Sequence, residues 1–180
     1  LEATVPGSDL DFYKTSYRSR WYWPLNDTYT FSTMANLAYG QGYGDTSELP
    51  FFEKYYAGGI RSVRGYDSNS LGPLSTPPGT EIPNGDPFGG NFRVLANAQL
   101  YFPAPFAKDN KSARMSVFVD AGNVFANSHD FESSELRTSA GVSFEWLTPV
   151  GPLVFSLADA LNNKPGDDTQ SFQFSIGGAF

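Results

Sequence analysis

The segment Val63-Arg64-Gly65-Tyr66 puts a guanidinium where it can do fixed work. Arginine presents its N–H donors in a rigid fork that matches a carboxylate. Gly65 allows backbone angles closed to other residues. Tyr66 can pack its ring and set its hydroxyl on a polar neighbour. Taken alone, Arg-Gly-Tyr would be a solvated turn, and Asp120 a hydrated carboxylate.

Other chemistry finds little support. His129 is the single histidine and lies beside Asp130, with no second ligand at metal spacing. A Ser-His-Asp triad would have to use that one imidazole, and no Gly-x-Ser-x-Gly elbow occurs. Gly40-Gln41-Gly42-Tyr43-Gly44 lacks the Lys-Ser/Thr and the helix of a phosphate loop, and reads as a strand end. Cysteine is absent, which excludes disulfides and thiolate metal sites. The expectation is a non-enzymatic protein with no metal and no cofactor.

The elements that must position Arg64 and Asp120 are strands. Leu136, Thr138, Ala140, Val142, Phe144 and Trp146 alternate with Arg137, Ser139, Gly141, Ser143 and Glu145. The same alternation sets Tyr13, Thr15, Tyr17, Ser19, Trp21 and Trp23 against Lys14, Ser16, Arg18 and Arg20. It sets Met115, Val117, Val119 and Ala121 against Arg114, Ser116 and Asp120, and Phe172, Phe174, Ile176 and Phe180 against Gln173 and Ser175. Eight strands are predicted, over 1–6, 12–24, 28–42, 91–103, 112–124, 136–148, 151–161 and 170–180. The longer ones meet the ~9–11 residues of a tilted transmembrane strand. Connections alternate between short turns and long polar segments, as in outer-membrane barrels. Trp21, Trp23, Tyr101, Phe102, Trp146 and Phe180 fall at the short-turn ends, where an interfacial aromatic girdle would lie.

Composition agrees. The 180 residues carry 16 Phe, 10 Tyr and 3 Trp, yet mean hydropathy is −0.33, so the apolar residues are spread by alternation rather than gathered in runs. No run reaches the ~18 apolar residues of a membrane-spanning helix. A net charge of −7 argues against a nucleic-acid partner. The opening Leu1-Glu2-Ala3-Thr4-Val5-Pro6 reads like the middle or end of a strand, so a fragment or processed chain is expected.

An eight-stranded barrel has an interior only wide enough for side chains. The inward set of Lys14, Arg18, Arg20, Arg93, Arg114, Arg137, Asp120 and Glu145 fits a wet or plugged lumen instead. Segment 43–90 is too long for an ordinary connection and too bulky for such a small lumen. Both features imply membership of a larger barrel with this segment as a plug.

Several blocks in order carry a resemblance. They are Leu49-Pro50-Phe51-Phe52-Glu53-Lys54-Tyr55-Tyr56-Ala57-Gly58-Gly59, Val63-Arg64-Gly65-Tyr66, Ser68-Asn69-Ser70-Leu71-Gly72-Pro73, Phe118-Val119-Asp120-Ala121-Gly122-Asn123-Val124, Trp146-Leu147-Thr148-Pro149-Val150-Gly151-Pro152-Leu153-Val154-Phe155-Ser156, and Phe172-Gln173-Phe174-Ser175-Ile176-Gly177. Over essentially its whole length the chain resembles the C-terminal half of the barrel domain of the BamA family of outer-membrane protein assembly factors.

The resemblance implies an all-β antiparallel transmembrane barrel, of which these are the last eight of 16 strands. The periplasmic POTRA domains and the first eight strands would lie outside this sequence. Segment 43–90 would be the sixth extracellular loop, folded into the lumen. Arg64 would meet Asp120 and, in place of the family's usual glutamate, Gln99. Residues 170–180 would be the C-terminal signal strand, carrying Phe172, Phe174, Ile176, Gly177, Gly178 and Phe180. The implied function is folding and inserting β-barrel proteins into the bacterial outer membrane through a seam between first and last strands. Implied partners are outer-membrane lipids, assembly lipoproteins and unfolded outer-membrane proteins. Open strand edges would also let the fragment self-associate. Two alternatives remain: a two-partner secretion pore, which shares this type of loop, and a soluble β-barrel ligand binder.

Overall fold

The computed structural model describes residues 1–4, 10–76, 85–106, 112–149 and 151–177. One antiparallel sheet of eight strands dominates. Its members are β1 (Glu2–Ala3), β2 (Phe12–Pro24), β3 (Thr30–Gly42), β5 (Phe92–Pro103), β6 (Ala113–Phe125), β7 (Arg137–Thr148), β8 (Gly151–Ala160) and β10 (Phe172–Ile176). They lie side by side in chain order. β4 (Gly65–Tyr66) and β9 (Thr169–Gln170) pair with each other in a separate two-stranded sheet. β1 and β10 form the two edges and do not pair with one another among the described residues.

Burial is inside-out relative to a water-soluble protein. Ser32, Asn36, Gln99, Ser116, Asp120, Ser139, Ser143 and Ser156 are buried on the inner face. Tyr17, Leu37, Val119, Val142, Leu157 and Phe174 are exposed on the outer face. A soluble sandwich would show the reverse, whereas a membrane barrel presents its apolar face to lipid. Trp21 stacks near Trp23, and Trp23 against Phe31, at the short-turn end of β2 and β3. That turn is closed by Asn26, whose Oδ1 accepts from the backbone N–H of Thr28 and Tyr29 at 2.8 Å each.

Three sequence expectations need correction. Tyr101 does not join the outer girdle. It turns inward, with the Arg114 guanidinium 4.4 Å from its ring centre, because it and the outward Phe102 are strand neighbours and must face opposite ways. The first strand, expected over 1–6, is only Glu2–Ala3 among the described residues; 5 and 6 lie outside them. The last strand does not run unbroken from 170. Gln170 leaves the main sheet to pair with Gly65, and β10 starts at Phe172. Gly178 and Phe180 lie outside the described residues.

Candidate functional site: the loop anchor in the lumen

The segment between β3 and β5 folds back against the inner face of the sheet. Ala57, Val63, Tyr66 and Leu71 of the loop form a buried apolar cluster with Leu95 of β5 and Val124 of β6. Val63 and Tyr66 have 0% exposure. This burial orders a segment that would otherwise have too few contacts to offset its chain entropy. Gly65 adopts φ 88°, and a Cβ there would come 3.3 Å from Ala158 Cβ and 3.4 Å from Ser139 Cβ. The glycine therefore serves both the left-handed backbone and the close approach to β7 and β8.

Arg64 is held on all sides. Its Nε donates to Asp120 Oδ2 at 2.7 Å and its Nη2 to Oδ1 at 2.9 Å, a two-pronged pair. The Arg64 backbone N–H also donates to Oδ2, at 3.1 Å. Nη1 donates to Ser143 Oγ at 3.2 Å, and Nη2 reaches Gln99 Oε1 at 3.4 Å. Beneath the guanidinium lies the Phe118 ring, 3.2 Å from Cζ to ring centre. Asp120 takes a further hydrogen bond from Asn97 Nδ2, and Gln99 Nε2 donates to Ser116 Oγ at 2.6 Å. Arg64 and Asp120 are 8% and 1% exposed. Two buried charges persist only when their hydrogen-bonding capacity is used this fully.

Strand register explains the convergence. Asn97 is opposite Asp120, Gln99 opposite Phe118, and Asp120 opposite Ser139. Inward positions of β5, β6 and β7 thus meet in one patch of wall. Arg64, Asp120 and Gln99 were singled out in the sequence, and the fold brings all three together. Phe118, Ser143 and Asn97 were not, although strand parity marks each as inward; their meeting depends on register across strands.

The motif reaches beyond Asp120. Gly65 pairs with Gln170 and Tyr66 with Thr169. Asp67 N–H donates to the Asp168 carbonyl at 2.9 Å. Gln173 of β10 donates from Nε2 to the Tyr66 carbonyl at 2.7 Å, fully buried. The Tyr66 hydroxyl lies 3.4 Å from both the Thr138 carbonyl and Asn162 Oδ1. Arg137 forks onto Asp167 and reaches Glu135, which also binds Lys164. Those two cations hold the Glu135 carboxyl below its usual range. The loop is therefore tied to the connection between β8 and β10 as well as to the wall. Sequence alone held one signal for this tie, the polar inward Gln173 in an otherwise aromatic strand.

On β10, Phe172, Phe174 and Ile176 point outward and are exposed. Gly177 ends the strand at φ 68°, its N–H donating to the Pro152 carbonyl at 2.9 Å. His129 sits exposed in a short 3-10 turn, Ser128–Asp130.

An inverted antiparallel sheet whose inner wall anchors a long inward-folded loop through a buried Arg–Asp pair defines an outer-membrane barrel wall with a luminal plug. The chain belongs to the Omp85 superfamily, whose domain description matches residues 1–180. It is 39% identical over 204 aligned positions to the outer membrane protein assembly factor BamA of Neisseria meningitidis serogroup B, covering 99% of this chain and 25% of that protein. It is 30% identical to the mouse sorting and assembly machinery component 50 homolog, over 68% of this chain and 25% of that protein. The crystal structure of BamA from Haemophilus ducreyi lacking POTRA domains 1–3 superposes with a TM-score of 0.84 at 35% identity, over 96% of this chain and 36% of that one. The chain thus spans about a quarter of the length of the curated relatives it is compared with. Its location is the bacterial outer membrane. This sets aside the soluble ligand binder.

Proposed function

We propose that the complete protein folds and inserts β-barrel proteins into the outer membrane, and that this chain supplies the last eight of its 16 strands, including one side of the insertion seam. Segment 43–90 is its sixth extracellular loop, with POTRA domains preceding the barrel. Its partners are assembly lipoproteins, unfolded outer-membrane proteins and the surrounding lipid. The observation that carries the reading is the loop anchor: Arg64 on Asp120, with the next residues adding as a strand to the segment that leads into edge strand β10. An edge strand has unpaired backbone groups that template another strand, and a client's terminal strand can add there. Barrel closure and apolar burial supply the driving force, so no nucleotide is required.

In this reading Gly177 and Gly178 loosen the seam, because glycine removes the packing and permits the turn. Phe172, Phe174 and Ile176 present the lipid-facing side of the signal strand. The test is insertion of an unfolded barrel protein into liposomes containing the complete protein. Wild type should accelerate folding, and Arg64→Ala should abolish most of the gain. Equal rates with and without the wild-type protein would refute the function. The secretion-pore alternative predicts export of a soluble client in place of insertion. The joint Gly177→Val and Gly178→Val variant should slow insertion; unaltered seam pairing and unaltered insertion would remove the seam role of the glycines.

A further inference from the structure

A second cluster of charge lies on the inner face beside the loop anchor, and two of its members, Arg20 and Arg61, also line the adjoining cavity that reaches the ion-paired Asp120 and Glu145. Arg18 and Arg20 of β2, Arg61 of the loop and Arg93 of β5 line one cavity of about 340 Å³, together with Asn36 and Ser62. Among the described residues no aspartate or glutamate lines it. None of the four arginines forms an ion pair among the described residues, whereas Arg64, Arg114 and Arg137 all do. Arg93 is held by neutral acceptors, the Tyr56 carbonyl at 3.2 Å and Asn36 Oδ1 at 3.1 Å. Its Nε is buried with no hydrogen-bond partner. In a chain of net charge −7, four guanidinium groups around one cavity without a carboxylate form a concentrated positive field.

We infer that this arginine-lined cavity binds the carboxylates of an extended acidic polypeptide segment lying in the lumen. Guanidinium forks fit carboxylates, and those of the exposed Arg18 and Arg20 line the cavity. Arg18 and Arg20 are alternate residues on one strand face, so their stems are set roughly 7 Å apart, the repeat of alternate side chains in an extended peptide. Lipid headgroups are the poorer fit, because the cavity opens on the inner face, opposite the exposed Tyr17 and Leu37. The inference rests on the proposed function, in that the segment is part of a client held at the barrel.

The test uses the complete protein in detergent and a fluorescent peptide of alternating Glu and Ser, with alternating Gln and Ser as control. Anisotropy should show binding of the Glu peptide that weakens with salt, as exposed charges are screened. Loss of charge-assisted contacts should make the Gln peptide, and the Arg18→Gln/Arg61→Gln variant with the Glu peptide, each bind at least about tenfold more weakly. Neither side chain takes part in the hydrogen bonds that hold Arg64 on Asp120. Three outcomes would overturn the inference: no binding by wild type, equal binding by the variant, or displacement by inorganic phosphate at much lower concentration than by acetate. Liposome insertion measured in parallel separates the two readings. Wild-type protein that binds the peptide but inserts nothing would refute the proposed function and leave the carboxylate site standing.

Discussion

The two halves of the lumen wall treat arginine in opposite ways. On β5 to β8, Arg64 is buried against Asp120, Gln99, Ser143 and Phe118, with nearly every donor used. On β2, Arg18 and Arg20 stand exposed and, among the described residues, without an ionic partner, across a cavity from the loop. The residue type is the same, and the surroundings decide its role. Buried charge is tolerable only when paired, so the first arginine is a fastener. A solvated charge costs little to leave open, so the second set remains available to a ligand.

The contrast is broken most severely at Arg64. Arg64→Ala leaves Asp120 buried and uncompensated, with an expected loss of about 3–5 kcal/mol of loop docking. Limited proteolysis should then cut segment 43–90 readily, and unchanged protection would disprove the anchor. Next comes Gly65→Ala, which forces a Cβ into a left-handed backbone beside Ala158 and Ser139. The backbone conformation alone costs about 1–2 kcal/mol, visible as a lowered unfolding midpoint in the complete protein. Gln173→Ala removes the donor to the Tyr66 carbonyl, an expected loss of about 1 kcal/mol. Hydrogen exchange in β9 and β10 should quicken while the amides around Arg64 and Asp120 change little; equal acceleration in both would mean the loop is docked as a single unit. On the open side, Arg18→Gln should change stability by no more than about 0.5 kcal/mol. A loss as large as that of Arg64→Ala would erase the distinction between the halves.

The smallest effect is at Glu135, on the outer end of the paired half. Lys164 and Arg137 lower its folded-state pKa, so its contribution is complete above the ordinary carboxylate range. That contribution is lost as pH falls through the lowered value, when the carboxylate takes up a proton. Acid titration followed by thermal unfolding should show the wild type losing stability in that window and Glu135→Gln losing less. Parallel curves would remove Glu135 from the clasp.

Much of this architecture was legible from alternation. Period 2 separated the inward Asp120, Ser116 and Arg137 from the outward Val119, Val117 and Val142, because successive side chains on a strand must face opposite ways. The same rule places Tyr101 inside, although its position at a short-turn end made it look like a girdle residue. The anchor was half legible: Arg64, Gly65 and Asp120 carry chemistry that shows in their types. Phe118 beneath the guanidinium did not show, since an inward aromatic in a polar face looks like a break in pattern until a cation covers it.

By itself the sequence determined the class of fold and the strand faces, and it marked Arg64 and Asp120 by type. These follow from local periodicity and side-chain chemistry. Only the tertiary structure decided that Gly65 and Tyr66 continue as a strand against Thr169 and Gln170, that Gln173 secures the loop from the edge strand, and that four distant arginines share one cavity. Those outcomes depend on register and on how a loop lies across a sheet. Contacts between residues far apart in the chain are set by the summed packing of all the strands between them, and no local pattern encodes them.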